Sequence, residues 1–366
     1  MEVLKKKKWN KVEVYQMKKN KIITSIGVVL VSIGVVGGVW SGIVAMPKMI
    51  NNWEINQEKE TKPEVIYNNQ NQIRKLNIDA NVSNVYIKKS NTQNVIVERC
   101  GNKSLSTVIV KNNNNELVIK EEQNSSINEI KPNNINNLVE IFLNNIFSSD
   151  YADIVIYLPE KVSANIKADY RGLVVVDDVL SNTLNYETSH GYISLLGDIN
   201  LENLNIKSLG DISLRTDEIN GIKNVNITAN TVHINGDSST DDISKIPENV
   251  IIKTTSTYYD ELGVNLDTSI PIAKNVVIDS SSIVSLNLPL VDYKFNFDIN
   301  TSRGIKFEAD DYEKYKNTFV GKYFEQSLTI DENALPKELK GLINEELKNN
   351  SDEYSVKVNS AYTTFQ

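Results

Sequence analysis

One cysteine, Cys100, cannot form a disulfide within the chain, so whatever part of these 366 residues folds must be held by its own core. Two histidines, His190 and His233, leave little scope for a histidine metal centre or general base, and both read as solvent-facing polar residues. The sequence has no HExxH, no phosphate-cradling glycine loop, no GxSxG and no cysteine cluster. A net positive charge is lacking too. Acidic residues number 47 against 39 basic ones, and the first 21 residues hold a basic excess of their own, so the remainder is more acidic than the overall −8. Such a surface argues against nucleic acid or an anionic polymer held by charge alone, and admits a cation or a basic protein surface.

What is present begins with topology. Residues 22–46, IITSIGVVLVSIGVVGGVWSGIVAM, carry no charge. As a helix this run would reach about 37 Å, enough to cross a hydrocarbon core of about 30 Å with some tilt. Lys5, Lys6, Lys7, Lys8, Lys11, Lys18, Lys19 and Lys21 precede it against Glu2 and Glu13. That excess holds residues 1–21 in the cytoplasm and sends the rest outside. A cleaved signal peptide ending near Ala45 is the competing reading, although the apolar run is longer than a signal h-region. Gly34, Gly38 and Gly42 lie four apart, a smooth helix face on which a second copy or another membrane helix could pack. Residues 47–72 are polar and aperiodic and read as a spacer.

Beyond the spacer the chain repeats itself. ANIKADYRGLVVVDD from Ala164, LNYETSHGYISLLGD from Leu184, LNIKSLGDISLRTD from Leu204 and VNITANTVHINGD from Val225 start about twenty residues apart. Each reads as two short strands with apolar residues at every second position, joined at a corner, and the period is that of a solenoid. The expected fold is an all-β solenoid, β-helix-like, with short helical insertions. The first β coils occupy 73–121, a helical insertion 122–150 and the repeats 151–309. The remaining 310–366 is expected to hold a helical segment, including the amphipathic PKELKGLINEELKNN, and a closing strand.

Stacking the coils turns repeated residues into columns. Gly172, Gly191 and Gly210, matched by Asn230, are expected at a corner with left-handed backbone. Val174, Val176, Ile193, Leu195, Ile212, Leu214, Val232 and Ile234 are then expected inside, with Ser194, Ser213 and His233 outside. Asn77, Asn165, Asn185, Asn205 and Asn226 form an amide ladder, and Lys167, Glu187 and Lys207 a column of alternating charge. Asp178, Asp198, Asp217 and Asp237 recur just past the second strand. They are either turn formers or a row of carboxylates that takes Ca²⁺. No other cofactor is expected.

The run VIYLPEKVSANIKADYRGLVVVDDV from Val155, followed by LNYETSHGYISLLGDI and LNIKSLGDISL, resembles a bacterial adhesin-like family of β-strand-repeat surface proteins. In that family a strand ending in Leu-Pro precedes coils with glycine at the corner. The resemblance covers about residues 73–235 and implies a surface-exposed solenoid, often membrane anchored, with no catalytic residues to carry over. The insertion at 122–150 and the irregular C-terminal third depart from the compact pattern and leave room for an extra partner. The expected function is non-catalytic: an anchored extracytoplasmic binding or structural module whose ligand is a surface molecule or a membrane protein. Two alternatives stand beside it, an accessory or sensor in envelope signalling and a glycan-cleaving β-helix enzyme, although no carboxylate pair is singled out for the latter.

Overall fold

The structure is a computed structural model that describes residues 62–101, 106–123, 152–236, 242–307, 335–343 and 352–366. The membrane run 22–46 with Gly34, Gly38 and Gly42, nearly all of the 122–150 insertion, and Asp237 lie outside the described residues. Among the described residues no helix is long and apolar enough to cross a membrane.

At the N-terminal end come β1 (Glu64–Asn69), β2 (Lys75–Ala80), β3 (Ser83–Lys89), β4 (Val95–Gly101), β5 (Ser106–Asn113) and β6 (Glu116–Gln123). The repeats follow as β7 (Ala152–Leu158), β8 (Val162–Ala168), β9 (Leu173–Val176), β10 (Leu180–Thr188), β11 (Ile193–Leu196), β12 (Leu201–Ser208) and β13 (Ile212–Arg215). A single helical turn, α1 (Thr216–Ile219), leads to β14 (Ile222–Ala229), β15 (Val232–Asn235), β16 (Asn249–Thr254), β17 (Leu262–Asp267), β18 (Asn275–Asp279) and β19 (Ile283–Asn287). Three further strands end the chain: β20 (Lys294–Phe307), β21 (Glu338–Ile343) and β22 (Glu353–Phe365).

These strands build two walls around one aliphatic interior. The long wall runs β6-β2-β8-β10-β12-β14-β16-β18-β22, every pair parallel. Each step is one coil, so equivalent residues stack about 4.8 Å apart. Inside, Ile78, Ile166, Tyr186, Ile206, Ile227, Ile252, Ile278 and Val358 share one register column, all of them buried. Each such side chain contributes about 1.5–3 kcal/mol by leaving water. The facing wall is in two pieces, β1-β4-β7-β3-β9-β11 and β13-β15-β17-β19-β22. At the break, Glu218 of α1 accepts from Ser194 Oγ at 2.8 Å, Leu195 N at 3.4 Å and Arg215 N at 2.9 Å. Its carboxylate thus serves backbone and hydroxyl groups on both sides of the gap.

Antiparallel strands close the edges. β5 pairs with β6, β1 with β4, and β21 with β20, which shields strand edges that would otherwise template association. β22 is long enough to serve both walls, pairing with β18 through Ser355–Asn359 and with β19 through Tyr362–Phe365. It also pairs with β20 along nearly its whole length. The last strand in sequence is therefore not the last in space.

Three expectations are corrected. Val174 and Val176 are half-buried and point outward, whereas Leu173 and Val175 are inside. The first repeat is one residue shorter between its glycine and its strand, so Leu173 pairs with Ile193 and Gly172 falls level with Tyr192, not with Gly191. Gly172, Gly191 and Gly210 do not adopt left-handed backbone; Asp177 (φ 66°) and Gly197 (φ 93°), on the turn after the second strand, do. PKELKGLINEELKNN does not start a helix, because Glu338–Ile343 is a strand, with Asp298 opposite Lys340 and Ile299 opposite Leu339. The burial of Leu339 against β20 outweighs the helical spacing of that segment.

Candidate binding surface

The outer face of the long wall is polar and ordered. Asn165 donates its amide to Asn77 at 2.8 Å, Asn185 to Asn165 at 2.7 Å, Asn205 to Asn185 at 2.7 Å and Asn226 to Asn205 at 2.8 Å. A second ladder runs from Asn275 through Asn249, Asn224 and Asn203 to Thr183. Of the charged column, Lys207 reaches Glu187 at 3.6 Å, while Lys167 lies 3.9 Å from Asp169 of its own coil. An open groove of about 600 Å³ lies along this face, lined by Asn77, Asn165, Asn185 and Asn205 among others. Because the amides bond one another, they fix register before any ligand arrives. Asn185→Ala breaks two ladder bonds on an exposed face and is expected to lower stability by about 1 kcal/mol. In urea the midpoint should fall with an unchanged slope; an unchanged midpoint would remove the ladder from the list of stabilising features.

The outer face of the six-stranded piece is different. Register pairs Asn84 with Asp153, Tyr86 with Val155 and Lys88 with Tyr157, and on the other side Tyr86 with Val174, which pairs with Ser194. Gly172 joins the first row, since its N–H donates to Asn84 Oδ1 at 3.1 Å. Over Gly172 lies the ring of Tyr192. A Cβ on Gly172 would come within 2.2–2.5 Å of Cζ, Cε1 and Cε2 alike. Near-equal distances to three ring carbons mean that the ring presents its face, not its edge, to the glycine. Tyr192 is nevertheless 52% exposed, so its other face is open.

The corner that carries Tyr192 is tightly knit. Tyr186, in the interior column, shares its one hydroxyl proton between Tyr192 O at 2.9 Å and Arg171 O at 3.2 Å, and burial pushes its phenol pKa up to about 12. Gly191 N donates to Thr188 Oγ1 at 2.6 Å, and Ser189 N and His190 N donate to Asp169 O at 3.0 and 2.9 Å. A Cβ on Gly191 would stand 1.9 Å from Arg171 O, so glycine is required there for close approach of successive coils, not for backbone angle.

The Tyr86 side chain hydrogen-bonds that of Tyr192, and its pKa is raised by burial and by Asp153. Tyr157 donates to Glu98 Oε2 at 3.2 Å, with burial and then Glu98 raising its pKa. Burial also raises the carboxyl of Asp153, against the Asn84 hydrogen bond and the Arg171 and Lys88 charges. Val155 points outward between Asp153 and Tyr157 on its strand, yet is only 8% exposed. This face is a grid of partly covered rings with polar groups fixed between them.

The three described members of the acidic column each pair with a basic side chain. Asp178 pairs with Lys161, Asp198 with Lys245 at 2.9 Å and Asp217 with Arg215 at 2.9 Å. Among the described residues no group of three or more His, Cys, Asp or Glu side chains could hold a metal ion. His190 stacks parallel to Tyr170 at 5.9 Å, and His233 is half-buried opposite Asn265. Tyr86, Tyr157 and Tyr192 were not singled out by the repeat pattern. The available signal was the alternation itself, which puts the middle residues of VYI and the Tyr of IVIYL and GYISL outside.

Stacked parallel coils, a ladder-built polar face and a tyrosine-bearing face define a solenoid-like scaffold of the kind built from short strand repeats. The chain belongs to the Toastrack DUF4097 family, which matches residues 73–314. It is similar to a candidate cell adhesion protein from Clostridium sporogenes, at 10% identity over 83% of this chain and 96% of that one, with a TM-score of 0.21. It is also similar to a candidate adhesin from Bacteroides fragilis, at 10% identity over 83% and 97% of the two chains, with a TM-score of 0.36. No protein with a curated description matches it.

Proposed function

We propose that this chain is a single-pass membrane protein that holds a Toastrack domain outside the bacterial cell, where it binds a surface ligand without catalysis. The supporting observation is the pre-ordered exterior. Side chains on both outer faces are locked by neighbours in adjacent coils, which suits recognition by a fixed surface, since little ordering entropy remains to be lost on binding. The uncharged run 22–46 behind a lysine-rich tail supports the anchor, and Gly34, Gly38 and Gly42 offer a face for a second copy. Adhesin-like naming of similar proteins agrees with display at the surface.

Protease added to intact cells is expected to digest the chain beyond residue 72 and spare the lysine-rich tail. Cell walls stripped of membrane by detergent should capture the detergent-solubilised full-length chain without release of new reducing ends. Protection of the C-terminal domain in intact cells would sink the localisation, and steady release of reducing ends would replace binding by catalysis.

A further inference from the structure

We propose that the row formed by Tyr192, Tyr86 and Tyr157 on the outer face of the six-stranded wall binds an extended, uncharged glycan. This names the ligand class for the binding role proposed above and rests on it. The three rings step diagonally across the sheet. Tyr192 leans over Gly172 level with Asn84, Tyr86 is two residues along on β3, and Tyr157 is level with Lys88 on the next strand, β7. One strand across and two residues along is about 8 Å per step. The row therefore spans an oligosaccharide and not one sugar ring.

Its chemistry matches a saccharide, which carries an apolar C–H face and a hydroxyl rim. Tyr192 supplies an open ring face on a rigid support, fixed below by Gly172 and from inside by Tyr186. Beside the rings stand a carboxylate, an amide and two cations: Asp153, Asn84, Arg171 and Lys88, whose Nζ lies 5.6 Å from the centroid of the Tyr86 ring. Both acceptors and donors are thus on offer. Asn84 donates to Asp153 Oδ1 at 2.9 Å, which orients the carboxylate toward the same row. Protein interfaces instead concentrate their energy in fully desolvated pockets, whereas this face is a flat grid whose polar groups remain half-exposed. The acidic balance of the chain beyond its N-terminal tail disfavours a polyanion and leaves neutral sugars.

The test is calorimetric titration of the purified full-length chain, in a polyoxyethylene detergent free of sugar headgroups, with cellotetraose and with chitotetraose. At least one should bind. Tyr192→Ala and Tyr86→Ala should each weaken it about tenfold, the scale of one aromatic stacking contact. Tyr192→Phe, which keeps the ring, should bind within about twofold of the parent. Gly172→Ala keeps the tyrosine but displaces its ring and should behave as Tyr192→Ala. Leu196→Ala, on the same wall but off the row, should leave binding unchanged and report on folding. If both alanine variants bind as tightly as the parent, the site is wrong although a glycan binder remains. If neither oligosaccharide binds while membrane-free cell walls still capture the solubilised chain, the glycan assignment falls and the wider binding role survives. Loss of capture by membrane-free walls as well would overturn both.

Discussion

Replacing Glu121 by alanine is expected to destabilise the domain by about 3–5 kcal/mol, the scale of an uncompensated buried polar cluster. Glu121 is completely buried at the N-terminal end of the stack. Its Oε2 accepts from three consecutive amides, Asn81 N at 2.8 Å, Val82 N at 2.9 Å and Ser83 N at 3.1 Å. Its Oε1 accepts from the hydroxyls of Ser83 and Ser106. The corner between β2 and β3 is thereby a cradle of N–H groups closed by a side chain from β6, an anion nest filled by the protein's own carboxylate. Arg99, buried alongside, donates to the main-chain oxygen of Ser106 and adds its charge to the cluster. Removing the carboxylate takes the acceptor from three amides and two hydroxyls, of which those of Ser83 and Ser106 are fully buried.

The same geometry fixes a pH dependence. Burial pushes the Glu121 carboxyl up, but hydrogen bonds from Ser106, Ser83 and the Val82 and Asn81 amides more than offset it, so its pKa lies below the ordinary 4.5. A carboxylate depressed by folding contributes stability that is complete above the unfolded value and fades as pH falls through the folded one. Glu121→Gln keeps the shape and cannot titrate. The gap between parent and Glu121→Gln should be widest near neutral pH and close progressively below about pH 4.5. Urea unfolding from about pH 7 to about pH 3 measures this. A gap that is constant across that range would mean that the carboxylate charge is irrelevant.

What the sequence disclosed and what it hid follow one physical rule. Features with a short period are visible, because alternation in and out is written in neighbouring residues. Ile193, Ile212 and Val232 are buried and the Asn77 to Asn226 ladder is bonded as its spacing requires. A one-residue difference in corner length was enough to turn Val174 and Val176 outward, since a strand has period two. The glycines were visible as a repeat, but their reason was not. Backbone angle and close approach leave the same letter, and only the position of Tyr192 over Gly172 and of Arg171 O beside Gly191 decides between them. Helical spacing in PKELKGLINEEL carried no knowledge of β20, which offered Glu338–Ile343 a strand partner. Glu121 and the tyrosine row were illegible for the same cause. Their partners stand tens of residues away and meet only once the coils are stacked.

Phe365→Ala is expected to cost about 3–5 kcal/mol, with the damage confined to one end of the molecule. Phe365 is fully buried next to the C-terminus. Its ring packs on Phe307 at 4.9 Å, nearly parallel, and against Phe297 at 5.5 Å, edge to face. Its backbone is level with Leu286 of β19 on one side and Phe307 of β20 on the other, and Gln366 N still donates to Leu286 O at 3.1 Å. β22 is therefore the wedge that joins β18 and β19 to β20, and β20 in turn carries β21. A stack whose coils touch only their neighbours loses stability where it is cut and propagates the loss weakly. Hydrogen exchange of the Phe365→Ala chain should show β20, β21 and β22 deprotected while β8, β10 and β12 keep their parental rates. Removing residues 353–366 should extend the same pattern to β18 and β19. Uniform deprotection of the long wall would instead show that the domain unfolds as one cooperative unit, and the picture of coils stabilised by their immediate neighbours would have to be abandoned.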